Sequence, residues 1–365
     1  MSKNNKKGEL VTGIDIGSTA VRIVVGQFIS DGKGGGELQI IGAAEAPSFG
    51  ISKGVISSIE EAISSVSHSL EQIERLIGLP IEHIWVGVTG SNTISQESRG
   101  VISVAKTDGE ISFQDVSRVI EAARMIAAPL NYEIMHVIPK SFIVDGQAGI
   151  KDPVGMTGIR LEVNTQIIHG LSSHVKNVQR TIYRAGLGID DIVLSVVAIG
   201  DVVCTRRQKE LGVVVVNMGG ATTSLVVYEN GDLIHSAVLP IGSEHITNDL
   251  ALGLRTSIDT AETIKIQYGQ CNYKLVNKKD KITIESSDGG KELIPLRYIA
   301  EIINARVVEI LERVDKELNV IGKSGLLPSG AIFTGGGAKI LGLTEVAKEA
   351  LRLPVTLGYP IDVPS

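Results

Sequence analysis

Two stretches of the chain, residues 13–25 and residues 215–227, follow one plan: a β-branched strand, a small polar turn and a second β-branched strand. In the first, Asp15 precedes the turn Gly17-Ser18-Thr19. In the second, Asn217 precedes Gly219-Gly220-Ala221-Thr222. Turns of this composition let the backbone come close to a ligand and aim successive N–H groups into one concavity suited to an anion. The hydroxyls of Ser18, Thr19 and Thr222 add donors. A charge-assisted hydrogen bond contributes about 1.5–3 kcal/mol, so two facing turns with several donors each hold a polyphosphate. Either copy alone reads as an ordinary β-hairpin; the repetition makes the pair a duplicated phosphate grip and commits the chain to two related halves.

At 365 residues and 43% hydrophobic content the chain buries large cores and divides into two or more domains. A net charge of −6, with no arginine-rich run or aromatic stacking motif, argues against a nucleic-acid partner. Cys204 and Cys271 stand far apart without histidine partners, which suggests neither a disulfide framework nor a zinc site and fits a reducing cytoplasm. Both read as buried small hydrophobes. None of the seven histidines has metal-ligand spacing, and all are read as structural or surface residues. Residues 1–7 read as a disordered tail, because Asp15 falls where a signal peptide needs an uninterrupted apolar core. Lys3, Lys6 and Lys7 are too few to anchor a membrane, and no apolar run approaches the ~18 residues of a spanning helix.

Along the chain, a flexible turn at residues 30–36 leads to a third strand at Leu38–Gly42, completing a meander. Ser57 with Glu60 forms a capping-box pattern, and Ile59, Ile63, Val66, Leu70, Ile73 and Ile77 recur at helical spacing. After a strand at residues 81–88 come a strand near Val101–Val104, a helix capped by Ser112 and running to about Ala128, and strands at His136–Ile138 and Ser141–Val144. This order predicts a compact α+β insertion. A strand at Leu161–Gly170 and a helix through Ala185 follow, and from Leu211 the hairpin plan restarts. Thr256 or Ser257 caps a helix carrying Glu262 and Lys265. A small polar hairpin, a long amphipathic helix over Leu296–Val320, a strand Ala331–Thr334, the run Gly335-Gly336-Gly337 and a helix Lys339–Arg352 complete the chain.

Two phosphate turns and a terminal glycine-rich turn opening a helix resemble the actin and Hsp70-like nucleotide-binding superfamily, in which two halves close on ATP. The residues His136–Pro139, Gly149–Leu161, Leu239–Ala251 and Ala261–Lys265 resemble more specifically the FtsA family of bacterial cell-division proteins, over about Leu10 to Pro360. The resemblance implies an α/β fold of duplicated ribonuclease-H-like domains with an SHS2-like α+β insertion. It divides the chain into residues 8–83 with 168–200, an inserted subdomain 84–167, residues 201–255 with 330–365, and a small subdomain 256–329.

It also implies roles. Gly17, Ser18 and Thr19 grip phosphate from one side, and Gly219, Gly220, Ala221 and Thr222 from the other. Glu262 and Lys265, one helical turn apart, contact ribose and adenine; read without the family they are a solvated intrahelical ion pair. Gly335, Gly336 and Gly337 with Lys339 let the purine lie on bare backbone. Asp15 orients Mg2+ through water, where the residues alone allow an Asx turn. Actin-like proteins usually carry aspartate at Asn217 and many carry Leu-Glu-Pro where Leu194-Ser195-Val196 stands, so two carboxylates are absent; Ser243 replaces a usual glycine. The implied activity is tight ATP binding with slow or no hydrolysis.

The implied partners are other copies of the chain in actin-like filaments, other division proteins, and the C-terminal tail of the tubulin-like protein FtsZ at the small subdomain. The expected place is the cytoplasm, at the inner face of the membrane at the division site. Relatives reach the membrane through a C-terminal amphipathic helix; the sequence ends at Ser365 before such a helix, so a missing segment or a partner is expected to supply attachment. A pilus-assembly adaptor sharing the insertion is the alternative, and a small-molecule kinase a remoter one.

Overall fold

The structure, a computed structural model, describes residues 10–30, 36–90, 92–106, 108–125, 128–285 and 290–361. The tail expected at residues 1–7, most of the turn at 30–36 and the tip of the polar hairpin at 286–289 lie outside the described residues.

Two five-stranded sheets share one strand order. In the first, Leu10–Ile16, Ala20–Ser30 and Gly36–Pro47 form an antiparallel meander, and His83–Val88 then Gly188–Leu194 extend it in parallel beyond Leu10–Ile16. In the second, Val213–Met218, Thr223–Glu229 and Asp232–Leu239 form the meander, and Ala331–Thr334 then Val355–Leu357 extend it in parallel. The repeat read in the hairpins thus extends to whole sheets. Val213, Val214, Val215 and Val216 are all buried, the unbroken apolar run of a strand covered on both faces. Asn217 interrupts that run at the carboxyl end of the strand, where open α/β sheets receive their ligands.

The helix Ile59–Ile77 buries Ala62, Val66 and Ile73 on the first sheet and ends at Gly78 in the left-handed conformation, whose N–H bonds Glu74 O. Its start differs from expectation. Ser58 is the cap, without a side-chain bond, and the amides of Ser57 and Ser58 both bond Gly50 O (2.8 and 3.1 Å) in the preceding loop. Ser257, and not Thr256, caps the helix Ile258–Tyr268 by accepting from Thr260 N. The helix Leu296–Val320 has the predicted bounds and buries Ile299, Ile303, Val307, Ile310, Leu311, Val314 and Leu318 in the core of the second half.

Thr93–Ser103, Arg160–Leu171, Tyr132–Val144 and Gln147–Ile150 form a separate antiparallel sheet packed on the helix Phe113–Arg124, the expected α+β insertion. Ser112 and Asp115 close a reciprocal capping box at that helix. The two strands expected at His136–Ile138 and Ser141–Val144 are one strand. Its register shifts between Pro139 and Ser141, leaving Lys140 as the extra residue of a bulge beside the proline. His83–Val88 pairs within the first sheet, so a boundary at residue 84 cuts that strand; the inserted sheet starts at Thr93.

The helix expected over Lys339–Arg352 is shorter. Gly336–Lys339 is a 3-10 turn, Leu341 bridges to Gln270, Gly342 turns the backbone at φ 77°, and the helix runs only over Leu343–Leu351. Among the described residues no helix is long and apolar enough to cross a membrane.

Candidate functional site

The carboxyl ends of Leu10–Ile16 and Val213–Met218 open on one cleft of about 690 Å3. Asp15, Gly17, Ser18 and Thr19 line it from the first half. Asn217, Gly219, Gly220, Ala221, Thr222, Glu262, Lys265, Gly335, Gly336, Gly337 and Lys339 line it from the second. All the residues given nucleotide or metal roles in the sequence are therefore brought to one place.

The two turns are closed alike. Gly17 N bonds Ala20 O at 3.2 Å and Gly219 N bonds Thr222 O at 2.9 Å, leaving the amides of Ser18, Thr19, Gly220 and Ala221 without a backbone partner among the described residues. Neither Gly17 nor Gly219 uses positive φ, so their role is close approach and not left-handed geometry. A Cβ at Gly220 would lie 2.1 Å from Thr19 Oγ1, which measures how near the two turns come. Ser18 Oγ accepts from Gly54 N at 2.8 Å, so its own O–H remains to donate. Thr19 Oγ1 donates to Glu244 Oε1 at 3.2 Å.

Asp15 Oδ1 accepts from Ser195 Oγ at 2.8 Å. Burial raises the Asp15 pKa above the usual carboxylate value, opposed by the Ser195 hydrogen bond and by the charge of Arg22. Arg22 stands directly opposite Asp15 on the neighbouring strand and pairs with Glu45 at 3.0 Å.

On the other wall, Lys265 and Glu262 do form the intrahelical pair, at 2.7 Å, but in the cleft: the Lys265 side chain is only 9% exposed and also donates to Ser243 O (3.3 Å) and Thr247 Oγ1 (2.8 Å). Gly335, at φ 87°, folds over the strand end so that a Cβ there would meet Asn217 Oδ1 at 2.5 Å. Lys339 is exposed at the rim.

These residues fit a polyphosphate nucleotide. Amides without a backbone partner among the described residues and the Ser18 hydroxyl lie in the two turns that line the cleft, the paired Lys265 lines its other wall, and glycines leave a bare wall beside it. Of the carboxylates, Asp15 lines the cleft at the end of its strand, a donor suited to an ion held largely by phosphate and water. Sequence reasoning missed Arg22, Glu45, Ile199 and Tyr359, which also line the cleft. The two-residue turn Ser18-Thr19 pairs position 15 with 22, so Arg22 was deducible by counting. Tyr359 follows a short edge strand and carried no signal.

The sequence matches the family models of the cell division protein FtsA over residues 214–365 and of the SHS2 domain inserted in FtsA over residues 90–169. The cell division protein FtsA of Bacillus subtilis is 38% identical over 354 residues, covering 96% of this chain and 79% of that protein. That of Pseudomonas aeruginosa is 33% identical over 359 residues, covering 98% and 85%. Among solved structures, the PilM–PilN type IV pilus biogenesis complex superposes with a TM-score of 0.65 at 15% identity, over 97% of this chain and 90% of that one. MreB5 of Spiroplasma citri bound to ADP gives 0.57 at 13% identity, over 96% and 92%. At such identities these two likenesses concern the fold, which is actin-like.

Proposed function

Because the chain belongs to the FtsA family of cell-division proteins, we propose that it binds ATP with Mg2+ between its two halves and acts as a polymerising scaffold linking the FtsZ ring to the cytoplasmic membrane. The observation that carries the nucleotide reading is the convergence of both duplicated turns, the Glu262–Lys265 pair and the glycine-rich turn on one cleft. In this reading the turn amides and Ser18 hold the phosphates, Lys265 and Glu262 the ribose and adenine, and Gly335–Gly337 the purine face. Mg2+, when bound, offsets phosphate charge, and Asp15 orients its water shell.

Hydrolysis is slow in this account. Asn217 supplies no negative charge to order an attacking water, and Ser195 spends its O–H on Asp15. Nucleotide then works as a wedge that favours the closed arrangement by its differential affinity for it. The inserted sheet and its neighbours provide contacts between copies, and the small subdomain, with Leu275, Leu293 and Tyr298 exposed, receives the FtsZ tail. The relatives reported above are cell-division proteins, whereas the pilus complex is a likeness of fold, so the FtsZ reading stands ahead of the pilus one.

Negative-stain electron microscopy on a lipid monolayer and in solution, with and without ATP and Mg2+, tests the scaffold: ATP-dependent filaments are expected. Titration with an FtsZ-tail peptide and with a pilus inner-membrane peptide tests the partner, and binding of the second alone contradicts the division role.

A further inference from the structure

Glu244 belongs to neither phosphate turn, yet its carboxylate lies against both. Its Oε1 accepts from Thr19 Oγ1 at 3.2 Å, across 225 positions of chain, and a Cβ on Gly220 would stand 2.6 Å from the same oxygen. The backbone holds it there. Glu244 N bonds Gly220 O at 2.8 Å in the first turn of the helix Ser243–Leu254, and the amide and hydroxyl of Ser243 both bond Gly219 O at 2.9 and 3.1 Å. An acidic residue in a first helical turn is ordinary. A carboxylate that reaches the hydroxyl of the opposite turn is not explained by that preference.

Thr19 has one O–H to give. Donated to Glu244, it is withheld from a phosphate oxygen, and a carboxylate between the turns repels a phosphate entering the same space. Among the cations that line the cleft in the described residues, Arg22 is paired with Glu45 and Lys265 with Glu262, while Lys339 follows the glycine-rich turn at the rim. A divalent cation arriving on the phosphates would neutralise the carboxylate directly.

The geometry points to Glu244 as the residue that makes polyphosphate binding depend on a divalent cation, by competing with metal-free nucleotide for Thr19 and for the gap between the turns. This inference rests on the nucleotide reading of the cleft.

The test is equilibrium titration of the wild type, Glu244→Gln and Glu244→Ala with ATP, ADP and AMP, each with Mg2+ and with EDTA. Both variants are expected to bind metal-free ATP about tenfold more tightly than the wild type, the scale of one like-charge contact removed. ATP with Mg2+ changes by less than about threefold and AMP not at all, a grading that general loosening of the fold does not produce. An unchanged ratio of metal-free to Mg2+-bound affinity in both variants overturns the inference, as does weaker ATP binding under both conditions. If the wild type binds none of the nucleotides with Mg2+, the nucleotide reading itself falls, and this inference with it.

Discussion

Gly335→Ala puts the glycine-rich wall to a quantitative test. Gly335 sits at φ 87° and ψ 174°, a region that only glycine enters freely and that costs another residue about 1–3 kcal/mol. The added methyl carbon would also stand 2.5 Å from Asn217 Oδ1 and 2.6 Å from Met218 O. Asn217 can rotate away, but the Met218 carbonyl belongs to the central strand and yields only if the turn withdraws. Overpacking of this kind adds about 1–3 kcal/mol, so a total near 3 kcal/mol is expected. If the turn stays, the cost appears as a lower melting temperature. If it withdraws, the cost appears when ATP needs the wall restored, as an affinity loss of about 100-fold. Differential scanning calorimetry and ATP titration on the same sample capture both routes. Gly336→Ala is the internal control for stability, because its φ is not positive and a Cβ there meets nothing within 4 Å. A Gly335→Ala protein that melts and binds ATP like the wild type refutes the reasoning.

Three further outcomes are expected. Asn217→Asp should raise ATP hydrolysis by about tenfold or more, within the range of a gained acid–base group, read by phosphate release; an unchanged rate contradicts the role given to Asn217. Lys265→Met should weaken ATP and AMP binding alike, by roughly tenfold, whereas a loss confined to ATP would place Lys265 on the phosphates instead. Burial holds His136, His169 and His174 below the ordinary histidine value of 6.5, so the unfolded chain takes up protons that the folded chain refuses. Stability is therefore full above that value and declines as pH falls below it, by up to about 1.4 kcal/mol per unit for each histidine. Urea midpoints between about pH 7.5 and about pH 5.5 should fall accordingly. His136→Gln, which keeps an acceptor for Leu194 N, should make the decline shallower; an identical slope argues against a buried neutral His136.

Local pattern carried much of the fold into the sequence. The duplicated hairpins, the long helix Leu296–Val320 and the order of the inserted elements follow from β-branched runs, helical periodicity and small polar turns, all short-range signals. What was not legible depends on distant partners. The loop around Gly50 displaces the expected cap at Ser57, Gln270 straightens the chain at Leu341 before the last helix, and parallel pairing draws His83–Val88 into the first sheet. The site follows the same division. Its turn residues announce themselves by repetition, whereas Glu244 reaches Thr19 only once the two halves face each other, and Tyr359 joins the rim from the far end of the chain. Cys204 and Cys271 are buried as read, and burial pushes their thiols up to about 11 and about 12, which leaves both unreactive near neutrality.

The central claim is that the duplicated turns hold a nucleotide's phosphates between the two halves. A crystal structure of the full chain with Mg2+ and a non-hydrolysable ATP analogue tests it most directly. The account predicts phosphate density between Gly17–Thr19 and Gly219–Thr222, with the base beside Gly335–Gly337 and Lys265. Nucleotide bound elsewhere, or a base lying between the two turns with its phosphates outside them, contradicts it.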